Sequence, residues 1–175
     1  SGVEDEFSCA LKRGEKKQFK KNKKSYERLS DHIGTVPLVM ISPADNELIA
    51  GGSEGRRRFM DVVISQYNKE YLSALIRYNR ALQQRNAMLR AVTGADSEML
   101  SLIEEMMSVE ALFIYECRRR FVEELTPIFH AFYDAVAGED EETALCYKSH
   151  LENGDLVAML KASRADDCRL GYTSK

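Results

Sequence analysis

Apolar and polar positions alternate in twos at the start of this chain and recur in threes and fours through its middle. Phe7, Cys9 and Leu11 alternate with Ser8, Ala10 and Lys12, the period of a half-buried strand. Arg13, Gly14 and Glu15 punctuate the run, and residues 16–21 supply the return strand of a hairpin. Residues 22–25 read as a turn, with Ser25 placed to cap a short helix over 26–33 that Gly34 ends. After Pro37, Leu38, Val39, Met40 and Ile41 form a continuous apolar run of the kind buried inside a sheet, closed by Pro43.

From residue 53 the period changes to that of a helix. Ser53 is placed to cap a helix reaching about Tyr67, with Phe59, Val62, Val63 and Tyr67 inward. Over 69–92, Leu75, Leu82 and Leu89 lie seven apart, and Tyr71, Tyr78, Arg85 and Val92 form a second row. Residues 93–96 break the pattern, and Asp96 or Ser97 can cap the next helix. From 97 to 136, Ile103, Met107, Glu110, Ile114, Cys117, Phe121, Leu125, Ile128, Phe132 and Val136 advance by threes and fours. Pro127 is expected to kink or divide this helix, because it removes an amide donor and crowds the preceding turn.

Two long helices joined by four residues predict an antiparallel hairpin, with Leu75, Leu82 and Leu89 facing the 103–136 row. Residues 145–151 alternate again as a strand, and a short helix is expected around 155–163. The fold class is α+β: a small mixed or antiparallel β part beside a mostly helical portion containing the hairpin. The expected divisions are a β-rich segment over 1–42, a helical arm over 43–143, and a strand and short helix over 144–175 that return to the β-rich part.

Composition narrows the function. A chain of 175 residues with 44% hydrophobic positions can build a core of its own. No apolar run reaches the length of a membrane span. The start at Ser1 rather than methionine agrees with a piece of a longer protein, and Ser1 itself could be a remnant of tag removal. Cys9, Cys117, Cys146 and Cys168, like His32, His130 and His150, are scattered without metal-ligand spacing, so no metal site is expected. Reduced cysteines on apolar rows suit a cytoplasmic location.

Net charge is −3, yet nine Lys or Arg against two Glu stand between Lys12 and Arg28. Such asymmetry fits an anionic partner at one end, and it also fits a solvated hairpin whose lysines deter edge pairing. Lys20, Lys21, Lys23 and Lys24 are the densest cluster and the first candidates for phosphate contact. Arg56, Arg57 and Arg58 are the second set. Three consecutive helical residues point about 100° apart, so one is expected to anchor the helix while one or two reach phosphate. Arg118, Arg119 and Arg120 sit beside Glu116, Glu123 and Glu124 at pairing distance along a helix and read as a solvated face. Arg85 falls on an apolar row, where a guanidinium demands partners. Arg85 with Asn86 reads as a polar fastener, with Asp61 or Glu110 as the facing carboxylate.

No catalytic constellation is visible. The glycine-rich stretch 51–55 precedes a helix but lacks the lysine and spacing of a phosphate loop, so a tight turn is the simpler account. No cofactor is expected in this chain, and no catalytic residue is assigned.

Three motifs carry a resemblance. Ser42-Pro-Ala-Asp45, Gly52-Ser-x-x-Arg-Arg-Arg-Phe-Met-Asp61 and Tyr78-Asn-Arg-x-Leu-x-Gln-Arg-Asn-x-x-Leu-Arg90 together resemble the middle of the RecF family of bacterial DNA replication and repair proteins. Gly171-Tyr-Thr-Ser-Lys175 is similar to the lead into that family's G-x-H-R-D-D motif. The resemblance implies part of a two-lobed ABC/SMC-type ATPase head whose Walker A, signature and Walker B motifs lie outside these residues. It implies ATP and Mg as cofactors of the parent protein, a weak DNA-dependent ATPase, and an ATP-dependent homodimer. It further implies double-stranded DNA and gap junctions as ligands, and RecO and RecR as partners in loading RecA. This chain would supply the arm and part of the DNA-facing or partner-facing surface. The alternative is a stand-alone helical hairpin that recruits a protein partner and touches neither nucleotide nor DNA.

Overall fold

The computed structural model describes residues 4–15, 17–91, 97–137 and 143–174. The acidic turn at 138–142, Val92, the interhelical break at 93–96 and both possible caps, Asp96 and the Ser97 side chain, lie outside the described residues. The chain divides into two compact units, 1–68 and 69–175.

The first unit opens on a three-stranded antiparallel sheet in the order β1 (Phe7–Ala10), β2 (Gln18–Lys21), β3 (Lys24–Ser25). Phe7 lies opposite Lys21 and Ala10 opposite Gln18. The β2–β3 turn places Asn22 and Lys23 at φ 51° and 67°, a conformation asparagine tolerates through local hydrogen bonds. Asn22 takes the Glu6 N–H on Oδ1 and donates from Nδ2 to Asp5, both at 2.8 Å.

The expected hairpin is present, but all four β1 residues are exposed. A small aromatic group packs on the sheet: His32 stacks on Phe19 at 4.8 Å and meets Tyr26 and Phe7 at 5.3 and 5.7 Å. The helix expected over 26–33 is only a 3-10 turn, Leu29–Asp31, because Ser25 pairs in the sheet and Arg28 stands at the cap position.

Leu38, Val39, Met40 and Ile41 correct a second expectation. They form no strand and are 71–87% exposed. Pro37 removes one ladder donor, and the Leu38 N–H is taken by the Gln66 side chain at 2.9 Å. A 3-10 turn, Pro43–Asn46, closed by reciprocal Ser42 and Asp45 hydrogen bonds, leads into α1 (Glu47–Ala50) and α2 (Ser53–Tyr67). Gly52, not Ser53, occupies the α2 cap position. The α2 span is the expected one but its buried face is not: Met60, Ile64 and Ser65 are buried, while Phe59, Val62 and Tyr67 are exposed. The face is turned by about one residue, or roughly 100°.

The second unit is built on α3 (Lys69–Arg90) and α4 (Ser97–Ala137). Arg85 pairs with Glu104, Arg77 with Glu110 and Arg118 with Tyr71, so rising numbers on one helix meet falling numbers on the other. The helices are antiparallel, as expected. The buried α3 residues are Tyr71, Leu72, Ala74, Ala81, Arg85 and Leu89, while Leu75 and Leu82 are only half-buried, Leu82 packing against the edge of the core.

Pro127 does not divide α4, which runs through it as one element. The lower part of the expected row is exposed: Ile128, Phe132 and Val136 reach 54, 73 and 89%. The Arg118–Tyr71 bond lies near the start of α3.

Residues 143–149 form no strand. Their burial nevertheless alternates, with Leu145, Tyr147 and Ser149 half-buried, and the Tyr147 ring lies 5.8 Å from Tyr115. A 3-10 turn, His150–Asn153, leads to α5 (Leu156–Leu170), longer than expected. Asp155 caps its start and Gly171, at φ +73°, its end, where the Gly171 N–H donates to the Asp167 carbonyl at 2.8 Å. Ala81, Ile103, Met107, Ala111, Leu156 and Leu160 form the core between α3, α4 and α5.

Candidate nucleic-acid interface

The strand register decides which lysines act together. Lys21 lies directly opposite Lys24, so both rise from one face, while Lys20 lies opposite Ser25 on the other. Two like charges across a pair repel. The opposing charge comes from Asp5, whose carboxylate takes Lys21 Nζ at 2.6 Å. That hydrogen bond raises the Lys21 pKa, and together with Asn22 it lowers that of Asp5. Lys21 Nζ also stands 5.7 Å over the Phe7 ring. Lys21 is therefore committed within the hairpin, whereas Lys23 and Lys24 are exposed and Lys20 is half-buried.

The arginine triplet divides its work. Arg56 Nη1 donates to the carbonyls of Leu48 and Gly51, both at 3.0 Å, closing the C-terminal end of α1 against the start of α2. Arg57 donates to Ser53 Oγ at 2.8 Å, one turn back. Arg58 is exposed. Gly51 is needed here because a Cβ would meet the Glu47 carbonyl oxygen at 2.4 Å, so the glycine-rich stretch makes a tight turn. The lysines and the arginines lie on separate elements of the same unit.

Arg85 is fully buried and bonds four groups of the helical unit. Nε reaches Glu104 at 3.1 Å, Nη1 reaches Asp167 at 2.7 Å and Thr173 Oγ1 at 2.8 Å, and Nη2 reaches the Leu160 carbonyl at 3.1 Å. These carboxylates replace the expected ones: Glu110 instead takes a two-pronged bond from Arg77, and Asp61 is a half-buried residue of the other unit. Arg164 holds the far side of Glu104 at 2.6 Å, so two arginines and two carboxylates form a neutral set. Asn86 Oδ1 accepts the Thr173 N–H and hydroxyl at 2.8 and 2.7 Å.

Sequence reading missed Glu104, Asp167, Arg164 and Thr173. The signal was present for two of them. Glu104 falls on the α4 face of Leu100, Ile103 and Met107, and Asp167 continues the α5 row Leu156, Leu160, Ser163.

Burial alone would raise the Asp167 pKa, but donors outweigh it. Ser174 gives its hydroxyl and N–H to Oδ1 at 2.7 and 3.0 Å, and Arg85 and Ser163 bond Oδ2, so the pKa is lowered. A depressed folded pKa contributes stability that is complete above the unfolded value, about 3.9, and lost as pH falls through the folded one. The stability gap between the native chain and Asp167→Asn is expected to be full at pH 7 and to shrink as acid protonates Asp167, below the ordinary aspartate value. Urea unfolding at pH 7 and in acid measures it, and a gap that widens in acid contradicts the assignment.

Among the described residues, no helix is long and apolar enough to cross a membrane, and no group of three His, Cys, Asp or Glu is placed to hold a metal ion.

The small sheet with a long helical arm is the architecture of a segment of an ABC-type ATPase. Solved structures the chain is similar to include two of the recombination mediator protein RecF in the RecFOR pathway. The RecF–ATP structure superposes with a TM-score of 0.85 at 25% identity, over 97% of this chain and 48% of that one. The RecF–ATPrS structure gives 0.83 at 23% identity with the same coverage. In sequence, the chain is 54% identical over 174 residues to the DNA replication and repair protein RecF of Phocaeicola vulgatus, covering 99% of this chain and 47% of that protein. It is 44% identical over 173 residues to RecF of Flavobacterium johnsoniae, covering 97% and 48%. No family model matches the chain. The chain corresponds to a RecF-type sequence and spans about half the length of the curated relatives it matches.

Proposed function

We propose that this chain is the arm-bearing portion of a RecF-type DNA-repair ATPase, supplying part of its DNA-facing and partner-facing surface. The observation that carries this reading is the superposition of 97% of the chain on RecF–ATP. The whole protein would bind ATP with Mg, form an ATP-dependent homodimer and act in the cytoplasm on double-stranded DNA and gap junctions. With RecO and RecR it would help load RecA. Residues 1–42 belong in this reading to the first lobe and 43–143 to the helical second lobe, while 144–175, whose helix α5 shares the core of α3 and α4, would lead back to the first lobe. The phosphate-binding and metal-binding groups of such an enzyme are not among these residues, so the chain by itself does not turn over ATP.

The DNA-facing charges in this reading are the exposed Lys23 and Lys24 of the hairpin, with Lys20 on the other face of the sheet, together with the exposed Arg58 of α2. Phosphate contact by such groups is insensitive to sequence and weakens steeply with salt. Fluorescence anisotropy with a labelled duplex is expected to give a Kd of roughly 10⁻⁴–10⁻⁶ M, the non-specific range. Lys23→Glu with Lys24→Glu abolishes it. Lys21 is left intact in this variant because Asp5 depends on it. Arg119→Glu changes little, since Arg119 is held between Glu116 and Glu123 at 2.8 and 2.6 Å. Binding lost in the Arg119 variant and kept in the double-lysine variant would overturn the assignment. Absence of binding in every variant would favour the helical-hairpin interaction module.

A further inference from the structure

We propose that the outer face of the α3–α4 hairpin is a docking groove for a basic amphipathic helix of another protein. α4 carries two apolar rows. The inner one, Leu100, Ile103, Met107, Ala111 and Ile114, is buried in the core of the unit. The outer one is Met99, Leu102, Met106, Val109 and Phe113, spaced three, four, three and four, the seam spacing of a coiled coil. Met99, Leu102, Met106 and Val109 are 50, 52, 60 and 70% exposed. A solvated helix face carries charged or polar residues at such positions, and an unbroken apolar row marks a contact surface.

Gln84, Ala87 and Met88 of α3 form the opposite wall, and the groove has a volume of about 800 Å³. At 1.5 Å per residue the row from 99 to 113 is roughly 21 Å long, four turns of a docked helix. Methionine supplies three of the lining side chains, Met88, Met99 and Met106, and its flexible thioether adapts to knobs of different shape.

Charge selects the occupant. Glu105 lines the groove on the α4 edge, with Glu98 one heptad earlier, while the α3 wall offers the uncharged Gln84 and Ala87. A second copy of the chain docked by the same row would set Glu105 against its own counterpart in the antiparallel arrangement. In the parallel one it would face Glu110, whose carboxylate is already held by Arg77 at 2.8 Å. Like charges at the flanking positions of a seam reject that pairing. A helix with aliphatic seam residues and Lys or Arg along one flank meets both requirements.

The test uses a helical peptide of about three heptads with leucine at the seam and lysine at the flanking positions, and a twin with glutamate in place of lysine. Titration into the chain, followed by fluorescence anisotropy, is expected to show binding of the lysine peptide at least about tenfold tighter than the twin. Glu105→Lys is expected to invert that preference. Met106→Glu and Val109→Glu, each at an exposed position with circular dichroism checked for an unchanged helix content, are expected to weaken the lysine peptide by about tenfold or more. Equal binding of the two peptides, binding that survives both seam variants, or no binding at all overturns the proposal. A dimer in sedimentation that Met106→Glu dissociates would assign the groove to a second copy instead.

Discussion

Arg85→Ala is expected to remove a large share of the stability of the helical unit. The substitution deletes four hydrogen bonds at once and leaves Asp167 and Glu104, both fully buried, facing a cavity. Breaking a buried pair by removing one partner costs about 3–5 kcal/mol, because the remaining charge has lost its solvent and its counter-ion together. Against a total of about 5–15 kcal/mol for an ordinary domain, that is a large share. The thermal midpoint should fall by roughly 6–20 °C, at about 2–4 °C per kcal/mol for a chain of this size.

The two carboxylates should not suffer equally. Arg164 still holds Glu104 through Nε and Nη2, whereas Asp167 keeps only the neutral donors Ser163 and Ser174. Arg85→Met combined with Asp167→Leu is therefore expected to regain part of the loss, since an apolar pair can replace a buried ionic one. Arg85→Lys regains little, because an ammonium cannot span Glu104, Asp167, Thr173 and the Leu160 carbonyl as a planar fork does. Circular dichroism melts of the four chains measure this. A midpoint within about 2 °C of the native one for Arg85→Ala would show that the set makes no net contribution.

The long helices were legible because periodicity accumulates over many residues. The spans expected at 53–67 and from 97 onward match α2 and α4, and the antiparallel hairpin follows from the short break between α3 and α4. Which row of a helix faces inward was less legible. Leu75 and Leu82 look like the stronger row, yet they are half-buried while Ala74 and Ala81 are buried, because which face is covered is decided by both surfaces and the sequence of one helix shows only its own. Short segments failed for a different reason. Residues 145–151 alternate in sequence and in burial, but a strand also requires a ladder partner, and that is a property of the neighbour.

Arg85 illustrates the same division. Its place on an apolar row was visible, and its need for counter-charge followed from burial. The identity of Asp167, 82 residues away on α5, was not visible, since α5 was expected to end near Ser163. For the lysines, strand register was the missing quantity: it separates Lys21, bound to Asp5, from Lys23 and Lys24.

Gly34→Ala is expected to disrupt the start of the segment after the sheet. Gly34 adopts φ +77°, a conformation that costs an ordinary L-residue about 1–2 kcal/mol even in open space. Here space is also lacking. A Cβ would stand 1.9 Å from the Gln66 carbonyl oxygen and 2.8 Å from its carbon, and both are main-chain atoms of α2 that no side-chain rotation can clear. Either residues 34–38 withdraw or the last turn of α2 shifts, and withdrawal also breaks the bond from the Leu38 N–H to Gln66 Oε1. Overpacking of this kind adds about 1–3 kcal/mol to the conformational cost. Gly14→Ala is the matched control, with φ +84° and nothing within 4 Å of its Cβ, so it carries the conformational cost alone. Hydrogen exchange at Leu38 and Asn68 is expected to quicken sharply in Gly34→Ala and to stay native in Gly14→Ala, because Asn68 donates to Ile64 in the turn that Gln66 anchors. Equal exchange in the two variants would mean that residues 34–38 do not rest on α2, and that the Leu38–Ile41 run is positioned by something other than this contact.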